Sequence, residues 1–456
     1  MNEISVDGGI DYQRQWGDKG RLFASYQISH APNRNDTENR YDGLDTSLHP
    51  EITSILKDIR TEMRDRTTQH HLTADLTIPL SRHQLLNTGV KFSFDRGESR
   101  ATEMYFLNGG FVEQKDAAMH YRQNQNIAAL YAEWEAQWGW LGLKEGLRYE
   151  HTWQKSHYLK GEGSNLSLHY GDLVPSITLT AKAKRNNIFG VNYTMRIRRP
   201  RINELDPYVN KSDPTQLSYG NPNLKAQHLN NLALVYTLKA NTLAMRINLN
   251  HSWSNDGIAR YSSMKEGRIN TTFGNIAKKR KTSLNAYVLW NVTRSTRLML
   301  NGEAGYSDIR SREIDAHNYG WHGNLNLGWQ QNLPWQLKWG SNLEWMSRQH
   351  SLQGYDSGMM MISATLARSF LDDKLDVAIS GMSGLGHGGK MYWESVSRTK
   401  DFTNISRFIE PMQDITISVT YTFGGKNRKY TEKTVPDPFE MGDSRIVKQQ
   451  MKRRGK

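Results

Sequence analysis

Residues 243–253 read Leu-Ala-Met-Arg-Ile-Asn-Leu-Asn-His-Ser-Trp, and this stretch decides the fold. Leu243, Met245, Ile247, Leu249, His251 and Trp253 alternate with Ala244, Arg246, Asn248, Asn250 and Ser252. Successive side chains of a strand point to opposite faces, so this strand carries one apolar and one strongly polar face. Near the C-terminus Ile415, Ile417, Val419, Tyr421 and Phe423 alternate with Thr416, Ser418, Thr420 and Thr422 in the same way. Similar runs occupy 72–78, 128–138, 191–198 and 321–329.

A soluble β-sandwich also alternates, and spacing separates the two cases. Hairpin partners are joined by tight turns at 17–20, 81–84, 184–187, 239–241, 293–296, 332–334 and 371–374. Longer polar connections fall between them, at 31–66, 101–120, 159–167, 199–226, 255–267 and 384–400. Short turns on one side and long loops on the other are the plan of a large antiparallel transmembrane β-barrel in a bacterial outer membrane. The spacing predicts an all-β chain with about 17 strands over 1–425 and a charged, disordered periplasmic tail over 426–456. The first segment, 3–16, and the last, ending at Phe423, both head toward the short-turn side. Bacterial barrels have even strand numbers with both termini in the periplasm, so parity predicts at least one strand ahead of Met1.

Composition agrees. Hydrophobic residues are 37% of the chain and mean hydropathy is −0.72, yet there are 13 Trp, 21 Tyr and 12 Phe, far too many rings for a disordered protein. A barrel reconciles these values, because half of each strand faces a polar lumen while aromatics gather in girdles at the membrane interfaces. No stretch approaches the roughly 20 apolar residues of a spanning helix. Cysteine is absent, which excludes disulfides and thiolate chemistry. The formal charge of +13 is scattered through the strands apart from one dense run at 426–456, so nucleic-acid binding is not expected. The opening MNEISVDGGIDYQ has neither the basic start nor the apolar run of a signal peptide.

The segment RIRRPRINELDPYVNKSDPTQLSYGNPNLKAQHLNNLALVY, residues 196–236, resembles a signature of the outer-membrane β-barrel family related to TonB-dependent receptors of Bacteroidota. The matching elements are Arg199-Pro200, Asn203, Leu205, Pro207, Asp213-Pro214, Gly220-Asn221-Pro222 and Asn223-Leu224. The strand ISVTYTFGGK, 417–426, resembles the last barrel strand of the same family, and the resemblance implies that an aromatic there, Phe423 beside Tyr421, is recognised by the barrel-insertion machinery. It further implies about 22 strands in the parent barrel, with a plug domain and a TonB-contacting box that are not visible in this sequence. A TonB partnership is therefore expected only with an upstream plug. The prolines cannot donate ladder hydrogen bonds, so Pro200, Pro207, Pro214 and Pro222 place the segment in a loop with fixed turns, leaning over the barrel mouth.

Sharper chemistry is not supported. His70 and His71 would point to opposite faces of a strand, a poor geometry for one metal ion. His387-Gly388-Gly389 lacks an accompanying Gly-x-Ser-x-Gly elbow. Glu133 and Glu135, near Arg148 and Glu150 of the next strand, read as a charge network of the lumen wall and not as a glycosidase dyad. Trp134, Trp138 and Trp140 read as a periplasmic girdle. No catalytic residue, cofactor or metal is expected. The lumen-facing candidates are Arg196, Arg198, Arg246 and Asn248. Three functions follow: a receptor-like transporter of an unidentified ligand, a plugless barrel without transport, or a soluble all-β carbohydrate-binding protein.

Overall fold

The computed structural model describes residues 4–40, 58–115, 118–161, 165–184, 186–213, 215–386 and 388–423. The tail 426–456, Pro214 and His387 lie outside them. Among the described residues, seventeen strands pair antiparallel in chain order to form one long meander. They are β1 (Val6–Trp16), β2 (Gly20–Asn39), β3 (Ile59–Ser81), β4 (Gln84–Leu107), β6 (Met119–Trp138), β7 (Leu141–Lys160), β8 (Leu166–Ala183), β9 (Asn187–Arg198) and β12 (Gln227–Lys239). The meander continues through β13 (Leu243–Lys265), β14 (Arg268–Asn291), β15 (Thr296–Ser311), β16 (Ala316–Asn332), β17 (Leu337–Met346), β20 (Met359–Phe370), β21 (Leu375–Gly384) and β24 (Asp414–Tyr421). Short strands lie outside this ladder. β5 (Gly110–Glu113) folds onto β4, and β10 (Asn210–Asp213) pairs with β11 (Gln216–Ser218), which adds in parallel to β14. β18 (Gln349–Ser351), β19 (Gly354–Asp356), β22 (Lys390–Arg398) and β23 (Thr403–Pro411) make a separate sheet from two loops of the long-loop side.

The alternation in the sequence becomes two faces. Ala24, Ala74, Val90, Leu130, Tyr149 and Leu173 form one register row across β2 to β8. Leu130 is 60% and Leu173 58% exposed, although both sit in the middle of long strands. The adjacent row, Phe23, Asp75, Gly89, Tyr131, Arg148 and Val174, points the other way and lines a cavity apart from Gly89. An apolar outer face and a polar inner face are the inverse of a soluble barrel and the arrangement that lipid demands. Trp138, Trp140, Trp290, Trp329 and Trp335 are exposed near the short-turn end, and Phe94, Trp153 and Trp321 near the other. No helix among the described residues is long and apolar enough to cross a membrane.

The ladder runs farther than the alternation suggested. Residues 31–39 and 59–66, expected as a loop, are the continuously paired outer ends of β2 and β3. Likewise 255–265 belongs to β13, with irregular pairing at Ser254, Gly257 and Ala259. Outside lipid the outer face need no longer be apolar, so the period-two signal fades while the backbone ladder continues.

Among the described residues, the outer edges of β1 and β24 have no strand partner. The sheet nevertheless curls round on itself, because residues 199–226 touch both its early strands and β13 and β14, as follows.

Candidate functional site

Residues 199–226 link β9 to β12, whose own pairing brings Arg198 opposite Gln227. The segment leaves this joint, crosses the inside of the curled sheet and returns. We call it the strap. Its single helical turn, Ile202–Leu205, is started by Glu204, which reaches back to accept from the Arg201 backbone N–H at 3.0 Å and also pairs with Arg198. On one side Ile202 and Tyr208 pack against Ala101, Met119 and Tyr121 of β4 and β6, with Met63 and Tyr158 alongside. On the other, Leu205 and Leu224, both almost wholly buried, pack against Ile258 of β13 and Phe273 of β14. Truncating a buried Leu costs about 2–5 kcal/mol, so these anchors fix the strap firmly.

The motif residues acquire physical roles from this crossing. Arg199 donates to Glu150 Oε2 of β7 at 2.5 Å and to Thr152 Oγ1 at 3.0 Å. Pro200 is buried, whereas Asn203 and Asn223 are exposed. Pro207 and Pro222 are half-buried within the strap, and Asp213 falls in β10. Asn221 donates from Nδ2 to the Phe273 carbonyl at 2.9 Å, while its Oδ1 accepts from the Asn223 N–H. Gly220 is pressed against the helical turn: a Cβ there would stand 2.5 Å from the Asp206 carbonyl oxygen and 2.7 Å from that of Glu204. Those neighbours are backbone and cannot swing aside. Gly220→Ala is therefore expected to loosen the strap by about 1–3 kcal/mol, read as faster amide exchange over 202–224 with the barrel strands unchanged.

Sequence reasoning missed Asp206 and Tyr208, whose only signal was the Leu-Asp-Pro-Tyr order inside a loop. Asp206 is buried, accepts from the Tyr208 N–H at 3.0 Å, and faces the like charge of Asp65. Burial pushes its carboxyl up to about 6 and raises the Tyr208 phenol as well. A carboxyl raised in the docked state binds its proton more tightly there than when undocked. Strap docking is consequently strongest below about pH 4 and weakens as pH rises to about 6, by up to about 3 kcal/mol. Proteolysis of the strap followed against pH should show this loss, and Asp206→Asn should abolish the pH dependence.

Beneath the strap lies a cavity of about 350 Å³. Its lining includes Arg21, Lys91, Arg148 and Arg196 against Asp75, Glu133 and Glu150. The carboxylates are engaged. Glu150 holds Arg148 and Arg199, each at 2.5 Å, Glu133 holds Lys144 at 2.9 Å and accepts from Asn87, and Asp75 accepts from the Tyr131 hydroxyl. Gly89 leaves room for that last contact, since a Cβ would meet both groups at 2.7 Å. Arg148 also lies over the Tyr131 ring, 4.9 Å from its centroid. Arg21 and Arg196 form no ion pair among the described residues. Arg198 is spent on Glu204. Arg246 and Asn248 lie farther along the same inner face, opposite Tyr287 and Asn285, and are joined by a 3.2 Å hydrogen bond. Where β8, β12 and β13 meet the strap's root, His228 bridges Asp172 at 2.8 Å and Asp256 at 2.6 Å. Tyr421 ends β24 with its ring 4.7 Å from that of Phe423, which is 87% exposed. Among the described residues no cluster of three His, Cys, Asp or Glu could hold a metal.

A family model described as "Outer membrane protein beta-barrel family" matches residues 14–421. The chain belongs to that family. As an outer membrane β-barrel family protein it resides in the bacterial outer membrane, with its apolar face in lipid. Comparison with curated proteins finds no significant match. Among solved structures it is similar to the copper transporter OprC, at TM-score 0.67 and 12% identity over 92% of this chain and 65% of that one. The ferric citrate transporter FecA in its unliganded form gives 0.63, 12%, 92% and 61%, and the ferric yersiniabactin uptake receptor FyuA from Yersinia pestis 0.61, 9%, 92% and 61%. These likenesses establish the shared fold. The chain spans under two thirds of the length of each.

Proposed function

We propose that this outer-membrane barrel is the translocation wall of a TonB-dependent-receptor-like importer, not an enzyme, and that it handles a polar solute carrying negative charge. The observation that carries the reading is the strap, a motif segment docked across the lumen directly above a charged chamber. The similar folds, named as transporters and an uptake receptor, support it. Arg21 and Arg196 are the groups assigned to the solute, since Arg148, Glu133 and Glu150 are already engaged in ion pairs. Arg246 and Asn248 line the route beyond. The barrel unit runs to residue 425, followed by a periplasmic tail over 426–456. Tyr421 and Phe423 are assigned to recognition by the insertion machinery, and TonB to energising the complete receptor.

Medium depletion tests this. Cells carrying the gene should remove an anionic solute only while the proton-motive force and TonB are intact, and the Arg21→Gln/Arg196→Gln variant should do so at least about tenfold more slowly, as for loss of hydrogen bonds to a charged group. Equal depletion by cells with and without the gene would return the chain to a non-transporting barrel.

A further inference from the structure

The outer face of β2 to β7 changes character sharply above the apolar belt. Ile28, His70, Phe94, Asn126 and Trp153 form one register row. Tyr26, one row below, donates to or accepts from His70 Nδ1 at 2.8 Å. Aromatic rings with polar tips at this height mark the boundary between acyl chains and headgroups. The next row outward, on the same face, places Arg96 opposite Thr68 and Asn124, and Lys155 opposite Asn124. The row after it carries Arg66, Glu98 and Arg122, and the third Arg34, Arg64 and Arg100. Pairing is unbroken from the belt through these rows on β2, β3 and β4, so the side chains remain on the lipid-side face.

Three rows thus hold Arg96, Lys155, Arg66, Arg122, Arg34, Arg64 and Arg100 against a single carboxylate, Glu98. That carboxylate is crowded by Arg100 at 2.7 Å, His120 at 2.8 Å and Arg122 at 3.7 Å. Glu62, one row beyond, is shared among Arg34, Arg60 and Arg64 in the same way. Asp36, opposite Glu62 in that row, pairs with Arg34 at 2.9 Å. Among the described residues, Glu98, Glu62 and Asp36 still leave the cations of this face in excess. Arg64, Arg66, Arg96 and Lys155 are exposed. On the outer face of β15 and β16, away from this patch, the charged residues are one pair, Arg310 with Asp308 at 2.8 Å.

We propose that this face is a docking surface for the phosphate-bearing headgroups of outer-leaflet lipid. The charge is complementary, and the patch is continuous with the belt that takes the acyl chains. A cationic side chain rooted just above an apolar surface lays its stem on that surface and presents its charge at headgroup height. Five strands at about 4.8 Å spacing give a patch about 20 Å wide, enough to hold one multi-chain lipid by several phosphate contacts. The inference needs only the outer-membrane location and does not rest on transport.

The test uses the full gene product extracted from outer membranes in mild detergent. Native mass spectrometry measures retained lipid, and delipidated protein is then offered a bis-phosphorylated glucosamine lipid or its dephosphorylated form in phosphatidylethanolamine micelles. The wild type should retain the phosphorylated lipid at least about tenfold better than the Arg66→Gln/Arg96→Gln/Arg122→Gln variant, and 0.5 M salt should weaken the difference. Lysine at all three positions should keep most of the binding, and Arg310→Gln should change nothing. Equal retention by wild type and the glutamine variant would overturn the proposal. If the variant fails to reach the membrane, the wild type alone decides: equal binding of phosphorylated and dephosphorylated lipid would also overturn it.

Discussion

Glu150→Ala should release the strap, speeding amide exchange over 202–224 by a hundredfold or more while β6 and β7 keep their protection. Glu150 is almost fully buried and is the common anion of Arg148 and Arg199. Removing it leaves two guanidinium groups facing each other in a poorly solvated wall, and stripping one partner from a buried ionic set costs about 3–5 kcal/mol. The converse substitution should be milder. Arg199→Ala leaves Glu150 still paired with Arg148 and the strap still held by Leu205 and Leu224, so its effect should be well below that of Glu150→Ala. If the two variants loosen the strap equally, the pair acts as a simple two-body contact and the shared-anion account is wrong.

The second large effect concerns the sheet edges. In lipid each unpaired backbone group costs several kcal/mol, and the eleven residues of β1 and the eight of β24 each present one edge without a partner among the described strands. The polypeptide 1–456 refolded by itself in detergent should therefore not give a compact, protease-resistant monomer with the heat-shifted gel mobility of a closed barrel. Aggregates, or assemblies that pair the edges between copies, are the expected products. A heat-resistant monomeric species would mean that the two edges find each other, and that closure needs nothing more.

Much of this architecture was legible in the residues, and the reason is lipid. Within the belt, apolar rows such as Leu130 and Leu173 must alternate with inner residues such as Arg148, so the strands and their number could be read directly. Arg34 and Arg64 show where that legibility ends, because above the acyl belt neither face of the ladder need be apolar and the same backbone pairing leaves no periodic trace. The strap shows a different limit. Its prolines announced a loop, but nothing local told that Ile202 would meet Ala101 and Leu224 would meet Ile258, contacts between positions far apart in the chain. Gly220 stood out only as part of the motif, and its use, close backbone approach, depends on the helical turn it packs against. The spare charge of Arg21 and Arg196 likewise emerged only when their neighbours were seen to be occupied elsewhere.

Because the strap's two sets of anchors belong to β4 and β6 on one side and to β13 and β14 on the other, it cannot seat until both arcs of the wall stand in place. Contacts of such long sequence separation form late. The segment thus doubles as a keystone, set last and fitting only a wall of the right curvature. A barrel inserted with a slipped register would misplace one set of anchors and leave the segment unseated, so its docking reports the register of the whole wall.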